Sequence, residues 1–246
     1  MKIIITGATG RMGQKMQEAA REFGVTVSAL VSPDFEATKA PAYRHINEFD
    51  GQADCVVDFS HHAGTVELLS WCTARGVPIV IATTGHTAEE LEAIKEASEK
   101  IAVFRSGNMS LGIATLCDLA KRVAATFPNA DVEIVETHHN KKLDAPSGTA
   151  LMLAESVKSV RQGANFAIGR SGNCPRVKGE VGIQSVRLGN IVGIHEVIIS
   201  TGSETITLKH EAHDRRLFAD GAIEVARFLL GKPAGLYDME KMVKGN

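Results

Sequence analysis

Aromatic side chains are scarce in this 246-residue chain, at 5% of the residues with a single tryptophan and two tyrosines. Trp71 and the few others fall at expected helix and strand positions. They offer no platform for stacking bases, which argues against a nucleic-acid partner. Charge of one sign is lacking too: 27 basic side chains stand against 29 acidic ones, a formal −2 that exerts no general pull on polyanions or anionic lipid. The four cysteines (Cys55, Cys72, Cys117 and Cys174) lie far apart, with no C-x-x-C and no zinc-like spacing. A disulfide framework is thereby excluded and a reducing compartment favoured. None of them adjoins a histidine, and Cys55 and Cys117 fall in expected core elements, so a nucleophilic thiol is set aside. No apolar run approaches the roughly 20 residues that span a bilayer. Only three isoleucines follow Met1-Lys2, too few for the core of a secretory signal. The expectation is a soluble, cytoplasmic protein without a membrane partner.

What the first half does contain is alternation. Ile3 to Ile5, Val25 to Val31, Cys55 to Phe59, Ile79 to Ile81 and Ile101 to Phe104 read as buried strands. Met12 to Phe23, Val66 to Arg75 and Ala88 to Lys100 read as helices, the last opened by a Thr87–Glu90 capping box. Strands alternating with helices predict an α/β domain with a doubly wound, Rossmann-type parallel sheet. From about residue 130 the texture changes. Asp131 to Thr137, Val181 to Leu188, Ile191 to Thr201 and Glu204 to His210 follow one another as strands, which predicts a second α+β domain carrying an open mixed sheet. Such an open sheet invites oligomerisation. Residues 161–180 show little periodicity and read as a mobile loop, and Ala222 to Leu230 reads as a late helix returning to the first domain.

The first strand runs into Gly7-Ala8-Thr9-Gly10-Arg11-Met12-Gly13 and then a helix, the order of a dinucleotide-binding turn. Gly7 suits a tight turn, Gly10 a close approach to a pyrophosphate, and Gly13 close helix–strand packing. The anion would rest on the helix N-terminus, where unpaired amides and the helix dipole favour it. The bland alternative is a turn set by packing alone. At the end of the second strand Asp34 is a candidate acceptor for the adenosine ribose, or else a loop cap. Arg11 and Lys39 are candidates for a 2′-phosphate, so NADH and NADPH both stay open.

The densest chemistry lies in Glu136-Thr137-His138-His139-Asn140-Lys141-Lys142-Leu143-Asp144-Ala145-Pro146-Ser147-Gly148-Thr149. Two histidines titrate near neutrality, lysines add positive charge and a proton donor, and Ser147-Gly148-Thr149 opens a helix whose first amides can hold a carboxylate. Each part has an ordinary reading as a strand end or a helix cap. Together they describe a site for an anionic substrate that gains a proton.

This segment resembles the signature of the 4-hydroxy-tetrahydrodipicolinate (dihydrodipicolinate) reductase family. The likeness extends to the glycine turn, Val57-Asp58-Phe59-Ser60, Ala82-Thr83-Thr84-Gly85, Ser106-Gly107-Asn108-Met109-Ser110, Ile191 to Glu196 and Phe218 to Ala222. It implies hydride transfer from NADH or NADPH to a cyclic dicarboxylate, with His138 as general acid/base, Lys142 as proton donor, and His139, Gly148 and Thr149 on the substrate. Gly7, Ala8, Thr9, Gly10, Arg11, Met12, Ala82, Thr83, Thr84, Ser106, Gly107, Asn108 and Met109 match the cofactor loops, with Asp34 toward the ribose. Arg215 matches more weakly as a further charge near the substrate. The resemblance also implies a homotetramer built on the second domain. The expected division is a dinucleotide-binding domain over 1–109 and 217–246, and a substrate-binding and oligomerisation domain over 110–216. An inter-domain cleft that shuts would exclude water. The alternatives are a non-catalytic NAD(P)-sensing regulator and a reductase of another cyclic dicarboxylate.

Other constellations carry less. His210-Glu211-Ala212-His213 is one residue short of a zinc-protease motif, and no metal site is expected. His61 and His62 fall at a strand-end rim. His195 alternates with Val197 and Ile199 and reads as a satisfied or interface histidine.

Overall fold

Three consecutive isoleucines, Ile3, Ile4 and Ile5, are fully buried because their strand is covered on both faces, as a parallel central strand requires. In the computed structural model, which describes residues 1–36 and 38–245, the chain divides into two compact units: residues 1–110 with 216–246, and residues 111–215.

The first unit contains β1 (Lys2–Thr6), α1 (Arg11–Glu22), β2 (Thr26–Val31), β3 (Ala42–Tyr43), β4 (Cys55–Asp58), α2 (Thr65–Arg75), β5 (Ile79–Ile81), α3 (Ala88–Ser98) and β6 (Ala102–Arg105). The second contains α4 (Leu111–Thr126), β7 (Asp131–His138), α5 (Gly148–Lys158), β8 (Phe166–Ile168), β9 (Val181–Arg187), β10 (Gly193–Ser200) and β11 (Thr205–Ala212). The chain then completes the first unit with α6 (Arg216–Leu229), β12 (Gly235–Tyr237) and α7 (Met239–Lys244).

The first unit's seven strands are all parallel, in the order β12-β6-β5-β4-β1-β2-β3. Strand order reverses beside β1, and ligands of such sheets bind beyond the carboxyl ends of the strands at that reversal. The α3 capping box forms as expected: Glu90 N donates to Thr87 Oγ1 at 3.3 Å and Thr87 N to Glu90 Oε2 at 2.8 Å.

The second unit's sheet is mixed, in the order β11-β10-β7-β9-β8, with β10 antiparallel to both neighbours and β9 parallel to β7 and β8. Helices α4 and α5 pack against one face, on which Val132, Ile134, Ile183, Val197 and Ile199 are buried. The opposite face mixes half-buried Val135, Ile194 and Ile198 with Glu133, Glu196 and Lys209.

The segment 161–180 departs from its reading as a mobile loop. It holds β8, and its three arginines are anchors. The buried Arg161 guanidinium donates to the carbonyls of Ala130 and Phe127, each at 2.7 Å, and so satisfies the end of α4. Arg170 pairs with Glu180, and Arg176 pairs with Glu133 and, at 2.9 Å, with Asp131. A three-residue strand shows no periodicity, which is why the sequence reads as loop. The long helix α4 and the short edge strands β3 and β12 also go beyond the sequence reading, and α6 begins at Arg216 rather than near Ala222.

Candidate functional site

In the first unit the turn after β1 brings Gly7 to φ +69, where a β-carbon would lie 2.5 Å from the Phe59 carbonyl oxygen. Gly10 caps α1 without a side-chain bond, and Gln14 N donates the first intrahelical bond to Gly10 O at 3.0 Å. The amides of Arg11, Met12 and Gly13 therefore precede the ladder and form a donor cradle with no side chain in it. This cradle fits a pyrophosphate.

Asp34 lies beside the cradle, accepting from Thr9 Oγ1 at 3.0 Å, while Thr9 Oγ1 is also 2.7 Å from Ser32 Oγ. A cavity of about 250 Å³ adjoins the turn, lined in part by Gly7, Pro33, Arg44, His45, Ser60 and His61. Arg44 and His45 were missed in the sequence because β3, which delivers them, is two residues long. His61 stands on the rim, as its position at a strand end suggests.

Asp58, fully buried at the end of β4, ties the neighbouring loops together. It accepts from Thr6 Oγ1 at 2.6 Å, from Ser60 N at 2.9 Å and from Thr83 Oγ1 at 2.8 Å. The Thr83 hydroxyl is thus committed to the scaffold, whereas Thr84 is exposed and its methyl adjoins Gly107. The Ser106–Ser110 loop is closed by local bonds: Ser106 Oγ to Asn108 O at 2.8 Å and Ser110 N to Asn108 Oδ1 at 2.9 Å. Met109 is buried beneath it, so the loop's backbone rather than that side chain faces outward.

In the second unit the inward face of the sheet changes character along the strands. Val132 and Ile134 give way to Glu136 and His138 on β7, and on β10 Ile199 and Val197 give way to His195 and Gly193. Glu136 is wholly buried. Its Oε1 accepts from Arg187 Nη2 at 2.9 Å and Ser147 N at 3.1 Å, its Oε2 accepts from Arg187 Nη1 at 3.0 Å, and His138 Nδ1 lies within hydrogen-bond distance of Oε2. Burial raises the carboxyl's pKa, but the bonds from Arg187, His138, Ser185 and the Ser147 amide outweigh it and hold the group below the ordinary carboxylate range. Burial is the largest influence on the His138 pKa and lowers it; the bond and charge of Glu136 work against this, and with the charges of Lys142 and Arg187 added the pKa stays below its ordinary value.

The loop after β7 folds back through Lys142 N to His139 O at 3.1 Å, and Lys142 Nζ pairs with Asp144 Oδ1 at 2.8 Å. Ser147 caps α5, its hydroxyl accepting from Ala150 N at 3.2 Å, so Gly148 and Thr149 form the first residues of the helix. A β-carbon on Gly148 would meet nothing within 4 Å, which leaves its backbone open to a ligand. Arg215 Nη2 reaches His139 Nε2 at 3.4 Å, which joins the more weakly matched arginine to the predicted substrate histidine.

Arg187 and His195 escaped the sequence reading of the site, and Glu136, the first residue of its densest segment, was given no role there. Glu136 was detectable, since it precedes His138 by two and shares its strand face. His195 requires a correction: it lies in the wall of this site, its ring centroid 5.1 Å from that of His138. Its Nε2 is 3.3 Å from Ser147 Oγ, and its buried Nδ1 has no partner among the described residues. Burial, with His138 adding to it, pushes its pKa down to about 4 from an ordinary 6.5. The folded state therefore favours neutral imidazole, giving stability that is full above pH 6.5 and is lost as pH falls toward 4. Urea denaturation across that interval should show the wild type losing up to about 3 kcal/mol more than His195→Gln. Parallel losses would contradict this role. His210 sits on strand β11 rather than on a helix, and among the described residues no group of three or more metal-ligating side chains assembles.

The family profile described as dihydrodipicolinate reductase, N-terminus, matches residues 1–109, and its C-terminal counterpart matches residues 112–243. A 4-hydroxy-tetrahydrodipicolinate reductase from Clostridium tetani is 38% identical, covering 99% of this chain and 97% of the relative. One from Caulobacter vibrioides is 42% identical, with 99% and 97% covered. Among solved structures, a dipicolinate-bound dihydrodipicolinate reductase from Paenisporosarcina sp. TG-14 superposes with a TM-score of 0.85 at 25% identity, covering 98% of this chain and 99% of its own. A probable dehydrogenase from Thermotoga maritima shares the fold with a TM-score of 0.63 at 14% identity, over 96% and 91% of the two chains.

Proposed function

This chain belongs to the dihydrodipicolinate reductase family, and from that membership we propose which of its residues reduce 4-hydroxy-tetrahydrodipicolinate to tetrahydrodipicolinate. It is an NAD(P)H-dependent oxidoreductase of the diaminopimelate route to lysine.

The first unit is the dinucleotide-binding domain. Residues Gly7 to Met12 would hold the pyrophosphate on backbone amides, Asp34 would accept from the ribose, and Ala82, Thr84 and the Ser106–Met109 backbone would line the nicotinamide side. Thr83 serves by fixing that loop to Asp58. When bound, the dinucleotide supplies the hydride.

The second unit is the substrate domain. Amides at Gly148 and Thr149 hold one carboxylate without a formal charge, and His139 with Arg215 offers positive charge and donors to the dicarboxylate. With the 4-hydroxyl lost as water, arrival of a hydride at the unsaturated ring leaves a carbanion-like centre conjugated with the ring nitrogen, and Lys142 delivers the proton it needs. His138 handles protons at the ring as general acid/base. The apolar side chains on the sheet's outer face, Val135, Ile194 and Ile198, support a homotetramer joined through that face. The four cysteines form no disulfide with one another, which supports a cytoplasmic location.

The observation that carries the reading is the gathering of His138, Lys142 and the Ser147-Gly148-Thr149 helix start on one loop of the second unit. The test follows NADH and NADPH oxidation separately, with substrate made in place from pyruvate and aspartate semialdehyde by the preceding synthase. Turnover is expected, and the ratio of efficiencies reports whether Asp34 or the Arg11–Lys39 pair governs the ribose. Binding of both nucleotides without oxidation of either would overturn the assignment and favour a regulator or another dicarboxylate.

A further inference from the structure

Glu136 touches neither solvent nor the open end of the site, yet its carboxylate is the most completely bonded group in the second unit's polar wall. Arg187 grips both of its oxygens in a fork, and the Ser147 amide binds Oε1 at 3.1 Å. Parallel pairing delivers this partner, since Arg187 on β9 stands in register with His138 on β7. Its Nη2 also donates to the Asp144 carbonyl at 2.6 Å, which ties the fork to the loop carrying Lys142.

An ionised carboxylate only accepts hydrogen bonds. With Arg187 holding Glu136 in that state, the nitrogen of His138 facing it must be a donor. We propose that Glu136, anchored by Arg187, is a positioning residue that keeps the His138 proton on Nδ1 and presents Nε2 as a bare lone pair to the substrate. This rests on His138 being the general acid/base.

The surroundings of Nε2 agree. A β-carbon built on Gly193 would lie 3.1 Å from it, so the strand passing beside this nitrogen carries no side chain to crowd it. The groups facing the imidazole are Glu136 on its own strand, Arg187 on β9, His195 on β10 and Lys142 on the following loop. Two of them are cations, which disfavour a standing imidazolium, and His195 is pressed toward its neutral form by burial. Glu136 is the counter-charge that lets His138 take a proton at Nε2 and return it. Without it the ring is free to turn its proton toward the substrate side, and imidazolium loses its stabilising partner.

The direct test is ¹⁵N NMR of the imidazoles in the nucleotide-free protein near pH 7.5. The expected result is a protonated Nδ1 and an unprotonated Nε2 at His138. A dominant Nε2–H tautomer would overturn the proposal without any variant being made. In Glu136→Gln, the tautomers should mix and the imidazole pKa should fall. The acid limb of the kcat profile should move with it, while kcat drops by about 100-fold and KM stays within about threefold. If that variant does not fold, Arg187→Lys keeps the charge but loses the fork, and should lower kcat by about 10-fold with the same tautomer mixing. His138→Ala separates the two claims. Unchanged kcat there would remove the acid/base reading. A slow His138→Ala beside a Glu136→Gln with wild-type tautomer and pH profile would remove the positioning role alone.

Discussion

Lys142→Ala is expected to lower kcat by about 10³-fold while leaving nucleotide affinity and the unfolding midpoint close to wild type. The separation follows from what Lys142 touches. Its ion-pair partner at 2.8 Å, Asp144, is 60% exposed, and a pair of that kind is worth under about 1 kcal/mol. Losing it cannot unfold the unit. In the role proposed for it, the ammonium would supply a proton to the carbon made electron-rich by hydride, and the neighbouring amine on the same turn, Lys141, is exposed. Lys142→Arg sharpens the test. Guanidinium keeps the positive charge that attracts a dicarboxylate but does not release a proton near neutral pH. Substrate binding should survive in that variant while turnover does not. Steady-state kinetics with titrated nucleotide would check both, and a kcat for Lys142→Ala within a few-fold of wild type would remove Lys142 as donor.

Much of this was legible before the fold was known, and the reason differs from residue to residue. The glycine turn and the Thr87–Glu90 box are local: each is specified by residues within seven positions, so spacing alone reveals it. His138, Lys142 and Ser147 to Thr149 lie within one continuous segment for the same reason. Glu136 marks where local reading stops. Its charge at a core-facing strand position is intelligible only through Arg187, which lies 51 residues further on and arrives by parallel pairing of β7 with β9. His195 and Arg44 follow the same pattern, each delivered by a strand pairing the sequence does not announce. Thr83 shows the converse. Its place in a family loop suggested contact with the cofactor, but the hydroxyl is bonded to a carboxylate at the end of another strand.

The three glycines of the first turn separate into two that the chain needs and one whose proposed service is to a nucleotide. Gly7 holds a positive φ against the Phe59 backbone, and a β-carbon on Gly13 would lie 2.2 Å from the Gly7 carbonyl oxygen. Substituting either strains the fold with or without nucleotide. Gly10 is different: its φ is −71, and a β-carbon there would meet only the Gly7 carbonyl oxygen, at 3.2 Å. Any residue can adopt that backbone, and a shift of a few tenths of an ångström would admit the side chain. Gly10→Val should therefore fold, at a cost of about 1 kcal/mol for a poorer helix cap. Its γ-methyls would add bulk beside the amides of Arg11 and Met12, where the proposed pyrophosphate contact lies. Losing two charge-assisted bonds costs about 3–4 kcal/mol, so calorimetry should record NADH and NADPH affinities weakened by about 100- to 1,000-fold. A cooperative thermal transition beside that loss assigns Gly10 to the ligand rather than to the fold. Nucleotide affinity within threefold of wild type would mean that the cradle does not hold the pyrophosphate.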